Sequence, residues 1–203
     1  SLMGAKILSN DNKAPLEIIG SKLNGITYES KIASAQVKSS LLLAGINASD
    51  KTTVIEPYLS RNHSELMLKY FDADIECGKV GDKFYTTIKK SSLTPKDLVI
   101  AGDISSAAFF IASALIVPNS DIIIKNVGLN DTRVGILDVL KKMNADIEIL
   151  DLTEVNNEKI GDIRVKYSKL KGVEIKGDII PRLIDEIPIL AVIASFAEGV
   201  TII

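Results

Sequence analysis

Tryptophan is absent from these 203 residues, and cysteine and histidine occur once each. One cysteine cannot close an internal disulfide. One cysteine with one histidine falls short of the ligand sets that hold zinc. Aromatic residues make up only 5% of the chain. Ile, Leu, Val and Ala must therefore fill the core, which suits thin α/β layers with β-branched strands and closely approaching Ala-rich helices. An excess of charge of one sign is also missing: 24 Lys+Arg against 26 Asp+Glu leaves a net charge of -2. Nothing there drives non-specific nucleic-acid binding. The longest apolar stretches, such as 107–117, are far shorter than the ~20 residues of a membrane span. No signal-peptide pattern follows Ser1-Leu2-Met3. No P-loop, G-x-G-x-x-G or zinc spacing occurs. What remains is 46% hydrophobic and 25% charged, a globular balance that excludes a disordered tail. The expectation is a cytoplasmic, metal-independent protein of one or two domains with no nucleic-acid or membrane partner.

The chain repeats itself. Ser60-Arg61, Leu66-Met67-Leu68-Lys69 and Ala73-Asp74-Ile75-Glu76 return 72 positions later as Thr132-Arg133, Asp138-Val139-Leu140-Lys141 and Ala145-Asp146-Ile147-Glu148. Each copy reads as a capping hydroxyl, an Arg in the first turn, an amphipathic helix and a strand. Upstream, the apolar helix that opens at Ser34 pairs with the one that opens at Ser105-Ser106. Strands are expected over 25–29, 52–55, 74–76 and 84–88 in one copy, and over 97–101, 121–125, 146–150 and 162–167 in the next. The unit is β-α-β-α-β-β. A third copy is expected from a strand over 172–176, a helix over 187–197 and a strand opening at 200–203, where the sequence stops in mid-unit. Met3-Gly4-Ala5-Lys6-Ile7 matches the corner at Met143-Asn144-Ala145-Asp146-Ile147. Both ends thus read as cut from a longer repeat protein. Gly45 and Gly199 are expected as left-handed helix caps, with Asp72 and Asn144 in the same conformation at the second helices. Pro188 belongs in a first helical turn.

Polar residues gather where these helices begin. A helix start offers free N–H groups and a positive dipole to an anion. Ser34-Ala35-Gln36 supplies one start, with a hydroxyl and an amide; Ser60-Arg61 supplies another, with a guanidinium suited to bidentate phosphate binding. If both begin at one sheet edge, Ser34 and Arg61 converge on one phosphate. The plain alternative is that Ser34 and Ser60 only cap helices and Arg61 is a solvated surface residue. Asp185 lies among Leu183, Ile184 and Ile187. It is either a general base in an apolar setting or a cap. Asp103 reads as a cap, His63 as a local contact, and Cys77 as a small buried residue behind a strand.

Five motifs in order then show a resemblance. They are Ser34-Ala35-Gln36-Val37-Lys38-Ser39, Ser60-Arg61-Asn62-His63-Ser64-Glu65, Gly102-Asp103-Ile104-Ser105-Ser106, Asn130-Asp131-Thr132-Arg133-Val134-Gly135 and Asp185-Glu186-Ile187-Pro188. The chain resembles the 5-enolpyruvylshikimate-3-phosphate synthase family over nearly its whole length. It departs at Asn62, where the family often has Asp, at Asp131, where it often has Pro, and at Asp72 and Asn144, where Gly is usual.

The resemblance implies an α/β (α+β) fold of repeated βαβαββ units, the inside-out α/β barrel of enolpyruvyl transferases. Residues 1–102 would belong to the C-terminal part of a first domain and 103–203 to the N-terminal part of a second, with the active site in the cleft between domains. It implies transfer of the enolpyruvyl group of phosphoenolpyruvate to the 5-hydroxyl of shikimate-3-phosphate. Phosphate is released through a tetrahedral intermediate, without metal or cofactor, on the shikimate pathway to aromatic amino acids. Ser34 and the Ala35 N–H would bind the 3-phosphate, Gln36 would lie along the ring, and Arg61 would pair with the phosphate. Asp185 would hold the ring hydroxyls and act as catalytic base. Arg133, His63 and Cys77 stay structural. The family's remaining lysine, arginine and glycine-rich motifs fall outside these residues, so the piece is expected to be inactive alone while the parent is an active monomer. Open edges leave room for self-association of the piece. Two rivals remain: the sister transferase acting on UDP-N-acetylglucosamine, and a non-catalytic module that binds phosphorylated ligands.

Overall fold

The computed structural model describes residues 2–203 and divides into two units, the first running to Asp97 and the second from Leu98 to Ile203. The first unit opens with a hairpin of β1 (Lys6–Asn10) and β2 (Lys13–Ile19), antiparallel. Its turn places Asp11 and Asn12 at φ 51° and 57°, the tight geometry that Asp and Asn tolerate. A four-stranded sheet follows, built from β3 (Thr27–Glu29), β4 (Thr52–Glu56), β5 (Ile75–Val80) and β6 (Lys83–Ile88) in the order β3-β4-β6-β5. β3 runs parallel to β4, and β6 is antiparallel to both β4 and β5. Helix α1 (Ala35–Gly45) connects β3 to β4 and packs on β4 and β6; α2 (His63–Tyr70) connects β4 to β5, packs on β5 and touches α1. Both helices therefore lie on one face of the sheet. Leu42, Val54, Leu68, Ala73 and Ile88 form the buried core beneath them.

The second unit repeats this plan. Gly102 bridges in parallel to Val127, and α3 (Ile104–Ile116) leads into β7 (Asp121–Gly128). Helix α4 (Gly135–Lys142), β8 (Asp146–Val155) and β9 (Glu158–Lys166) complete a sheet of order β7-β9-β8. A third, partial copy follows: single parallel bridges at Lys171–Glu198 and Glu174–Ile202, two 3-10 turns (Gly177–Arg182 and Ile184–Glu186) and α5 (Ile187–Ala194). The core here is larger and runs from α3 (Ile104, Ala108, Ile111, Leu115) through α4 and β9 to Leu190 and Ile193 of α5.

The repeat is visible in backbone geometry as well as in sequence. Gly4, Asp72 and Asn144 occupy the same corner with φ of 85°, 65° and 66°. One residue before each, a carbonyl accepts from a returning chain: Asn24 N–H to Met3 (2.9 Å), Thr94 to Phe71 (3.0 Å) and Lys171 to Met143 (2.9 Å). The Ser91 and Ser168 hydroxyls accept from the N–H of Asp74 and Asp146 at matching places. Gly199 is left-handed, as expected, but it does not cap α5, whose C-cap is Ser195; Pro188 lies in the first turn of α5.

Several local expectations are corrected. No strand forms over 97–101; only Gly102 bridges. The stretches 172–176 and 200–203 form no strand; they meet each other in the single bridge Glu174–Ile202, with the Ile175 N–H on the Ile202 carbonyl (2.8 Å) and the Ile202 N–H on the Val173 carbonyl (3.0 Å). α5 ends at Ala194 rather than at 197. Gly45 is not left-handed; it is the last residue of α1, and a Cβ there would lie 2.7 Å from Ile88 Cγ2 and 2.9 Å from Thr52 Cβ. Glycine is needed for the close approach of helix to sheet. Cys77 lies within β5 and is exposed rather than buried.

Candidate functional site

In the first unit both helices start at the same edge. β3 and β4 are parallel, so the segments after Glu29 and Glu56 leave the sheet together. Ser34 caps α1 from an extended backbone, and its Oγ accepts from the Val37 N–H at 3.4 Å. Ala35 and Gln36 form the first turn, with Gln36 exposed. The turn 57–62 after β4 carries Arg61, which is half-buried and lies just before Asn62, the N-cap of α2. The expectation that Arg61 lies inside the helix is corrected by a shift of two residues, the cap falling at Asn62 rather than Ser60, and so is that for Arg133, which precedes the Val134 cap of α4. The cap roles of Ser60 and Thr132 are also corrected. Ser60 Oγ donates to Glu56 Oε2 (2.6 Å), and Thr132 Oγ1 donates to Asn130 Oδ1 (2.6 Å). Each hydroxyl donates to a side-chain oxygen, and neither helix start has a side-chain cap hydrogen bond.

Beneath this edge lies a buried ionic cluster that was not among the sequence candidates. Lys38, only 1% exposed, contacts Glu56 Oε1 at 2.8 Å and Glu65 Oε1 at 2.7 Å. It also donates to the Ser60 carbonyl at 3.3 Å. Glu56 in turn accepts from the Ser60 N–H at 3.0 Å. Ser39 and Ser64 join the two helices by a hydroxyl pair at 2.6 Å. A sequence signal for this cluster existed. Lys38 lies four residues before the buried Leu42, and Glu65 lies three before the buried Leu68. Glu56 ends the inward register Thr52, Val54, Glu56 of β4. Each charge occupies a position whose period points to the core.

In the second unit Asp185 is exposed on the 3-10 turn Ile184–Glu186, while its neighbours Leu183 and Glu186 are buried. The apolar surroundings read from sequence turn inward and leave the Asp185 carboxylate at the surface. Glu186, not Asp185, precedes α5 as its cap residue. The Glu186 carboxylate accepts from the Ser105 hydroxyl, and Arg133 donates to the same hydroxyl. Arg133 also lies 3.2 Å from Asp103 Oδ1 and 3.8 Å from Glu186. Asp103, rather than Ser105, caps α3, taking the Ser105 and Ser106 N–H groups at 3.2 Å each. Partial burial pushes the Asp103 carboxyl up. The Ser105 and Ser106 N–H groups, the Ser106 hydroxyl and the Arg133 guanidinium outweigh that push and hold it below the ordinary carboxylate value.

A cavity of about 380 Å³ opens between α2 and β5–β6, lined among others by Glu65, Leu66, Cys77, Phe84 and Tyr85. It holds none of Ser34, Ala35, Gln36 or Arg61. Among the described residues no His, Cys, Asp or Glu group is arranged to hold a metal, and no helix is long and apolar enough to cross a membrane. The first-unit edge brings together the start of an eleven-residue helix, its hydroxyl cap and, on the turn before α2, the Arg61 side chain.

Comparison with known proteins agrees with the motif order. The family model for EPSP synthase (3-phosphoshikimate 1-carboxyvinyltransferase) matches residues 1–203. A 3-phosphoshikimate 1-carboxyvinyltransferase of Thermoanaerobacter sp. (strain X514) is 54% identical over 204 residues, covering 100% of this chain and 48% of the relative. One from Gloeothece citriformis (strain PCC 7424) is 53% identical, covering 99% and 45%. Among solved structures, an EPSP synthase from Acinetobacter baumannii aligns with a TM-score of 0.86 at 39% identity, covering 99% of this chain and 45% of that one. The enolpyruvyl transferase NikO from Streptomyces tendae aligns at 0.70 with 17% identity over 98% and 48%, a likeness of fold. The chain spans about half the length of the curated relatives it matches. Its repeated βαβαββ units have the enolpyruvyl transferase fold, and the chain belongs to the EPSP synthase family.

Proposed function

We propose that this chain supplies the shikimate-3-phosphate contacts of an enolpyruvyl transfer. The 5-hydroxyl of shikimate-3-phosphate adds to the enol carbon of phosphoenolpyruvate, and phosphate then leaves. The observation that carries the reading is the common edge from which α1 and α2 start, with the Ser34 cap on one and the Arg61 turn on the other. An anion there gains helix-start N–H groups, a hydroxyl and a guanidinium together. We assign the phosphate ester to Ser34, Ala35 and Arg61, the ring to Gln36, and base catalysis toward the 5-hydroxyl to Asp185. The Asp185 side chain lies at the surface. Residues 1–102 and 103–203 are assigned to successive domains, and the compartment to the cytoplasm. Transition-state charge in such a transfer needs preorganised cations, usually the largest catalytic term. The 203-residue chain is therefore assigned ligand affinity without turnover.

The test is calorimetric titration of the 203-residue chain with shikimate-3-phosphate, beside Arg61→Ala. The variant is expected to bind at least roughly tenfold more weakly, the loss of one charge-assisted pair. Equal heats in the two proteins sink the assignment. Tighter binding of UDP-N-acetylglucosamine would favour the sister transferase instead. Release of phosphate from phosphoenolpyruvate by the chain alone, dependent on added shikimate-3-phosphate, would show the inactivity assignment wrong.

A further inference from the structure

The Lys38 ammonium is too enclosed to meet a ligand. It is 1% exposed, and Glu56, Glu65 and the Ser60 carbonyl surround it. Yet it touches both halves of the candidate site. Its own N–H closes the first turn of α1 on the Ser34 carbonyl at 3.0 Å, and its Nζ holds the carbonyl of Ser60, the residue before Arg61. Glu56 grips the same residue through the Ser60 N–H and hydroxyl. The turn that presents Arg61 is thereby tied to the helix that presents Ser34, Ala35 and Gln36.

A buried ion cluster of this kind is a poor source of stability. Apolar residues of similar volume often do as well or better, and registry is the best-attested use of such charges. The second unit shows that the scaffold folds without it. Aligned on the helix caps Ser34 and Asp103, the residue in the Lys38 place is Ala107, which is buried as well. We propose that Lys38 is a positioning residue: its buried ammonium clamps the Arg61 turn to the start of α1, so that hydroxyl, N–H groups and guanidinium meet one phosphate ester in a fixed geometry. This inference rests on the anion-binding reading of that edge. Its consequence is that affinity depends on a residue that never touches the ligand.

The experiment uses the 203-residue chain, with melting curves fixing a temperature at which each variant is folded. Shikimate-3-phosphate is titrated into wild type, Lys38→Met, Glu56→Gln, Arg61→Ala and Lys38→Met/Arg61→Ala. Lys38→Met is expected to weaken binding about tenfold and Glu56→Gln roughly threefold, because misplacing a binding group forfeits much of its effect. The double variant should bind no more than about twofold more weakly than Arg61→Ala, since a residue that acts through another adds little once that one is gone. The rise in exchange rate of amides 57–62 in Lys38→Met should exceed that of Val54 and Ile88 about tenfold, a local loosening beyond any general destabilisation of the unit. Folded Lys38→Met with wild-type affinity and exchange overturns the clamp, as does a multiplicative loss in the double variant. If Lys38→Met does not fold, wild-type affinity and exchange in Glu56→Gln overturn it. Wild-type binding that is lost in Arg61→Ala but kept in Lys38→Met sinks the clamp alone. No binding by wild type sinks the reading of the edge and the clamp with it.

Discussion

The two copies of the βαβαββ unit solve the same problem with different chemistry. Behind the helix starts of the first, Lys38, Glu56 and Glu65 form a closed ionic cluster. In the second, the 72-residue spacing puts Gly128 and Leu137 where the first has Glu56 and Glu65, and the cap alignment puts Ala107 where it has Lys38. The described residues of the first unit bury five hydrophobic side chains in one cluster, against twenty in the second. The first unit therefore leans on polar contacts where the second leans on apolar burial. The fold tolerates either, which argues that the charged version is kept for what it holds in place.

The sharpest way to break this comparison is to remove one partner. Lys38→Ala leaves two carboxylates buried without their ammonium, a change expected to cost about 3–5 kcal/mol. Adding Glu65→Leu copies the residues of the second unit and should recover much of that loss, because Glu56 keeps the Ser60 N–H and hydroxyl. Urea unfolding followed by exchange of the Val54 and Ile88 amides reads the first unit separately. Equal instability of the single and double variants would show that the ionic cluster cannot be exchanged for the apolar arrangement.

A second contrast lies at the ends of the first helices. Aligned from their caps, Gly45 of α1 matches Ala114 of α3. Helix propensity alone favours alanine by about 1 kcal/mol. Packing opposes it, since the Cβ would reach Ile88 Cγ2 and Thr52 Cβ. Overpacking of this kind costs about 1–3 kcal/mol. Gly45→Ala is expected to lower the stability of the first unit, as measured by thermal melting. A raised melting temperature would mean that the helix can shift away from the sheet.

These contrasts also explain what could be read in the sequence. The repeat was legible because its corners require unusual backbone, and Gly4, Asp72 and Asn144 mark the same left-handed position. The start of α1 was legible because Ser34 opens a helix that runs into an apolar stretch. The stretch 97–101 was not, since its Val and Ile content resembles a strand while only Gly102 finds a partner. Ser60 looked like a cap because the acceptor that claims its hydroxyl, Glu56, is four residues upstream in another element. Cys77 looked buried because its type usually is, yet it lies on an exposed position of β5. Lys38 was overlooked for the opposite reason: its inward position was readable, but its type is rarely buried.

The helix caps supply a smaller, pH-dependent contrast. Ser34 caps with a hydroxyl, Asp103 with a carboxylate. The Asp103 carboxyl is held below its ordinary 3.8 in the folded state. A depressed carboxylate stabilises fully above the unfolded value and loses that contribution as pH falls through the folded one. The second unit should thus lose the Asp103 contribution below pH 3.8, whereas the Ser34 cap does not titrate. Asp103→Ala is expected to cost about 1 kcal/mol at neutral pH. It should also flatten the fall in stability below pH 3.8, read from acid titration of α3 amides. An unchanged acid profile would show that the Ser105 and Ser106 N–H groups are satisfied without the carboxylate.

The smallest contrast separates two residues in the same strained corner. Asp72 and Asn144 both sit at φ near 65°, where glycine pays no steric penalty. Asn144 spends its side chain on one long bond to the Lys169 carbonyl at 3.3 Å. Asp72 pairs with Lys96 at 2.6 Å, and the Lys96 and Thr94 hydrogen bonds hold its carboxyl below the ordinary range. Glycine relieves strain at either position but also enlarges the unfolded ensemble, which offsets part of the gain. Asn144→Gly should still gain about 0.5 kcal/mol, since little else is lost. Asp72→Gly should gain less or lose outright, and its deficit relative to Asn144→Gly should shrink as added salt screens the Lys96 pair. Paired melting curves at low and high salt decide it. A salt-independent difference would assign the contrast to the backbone of the two corners rather than to the ion pair.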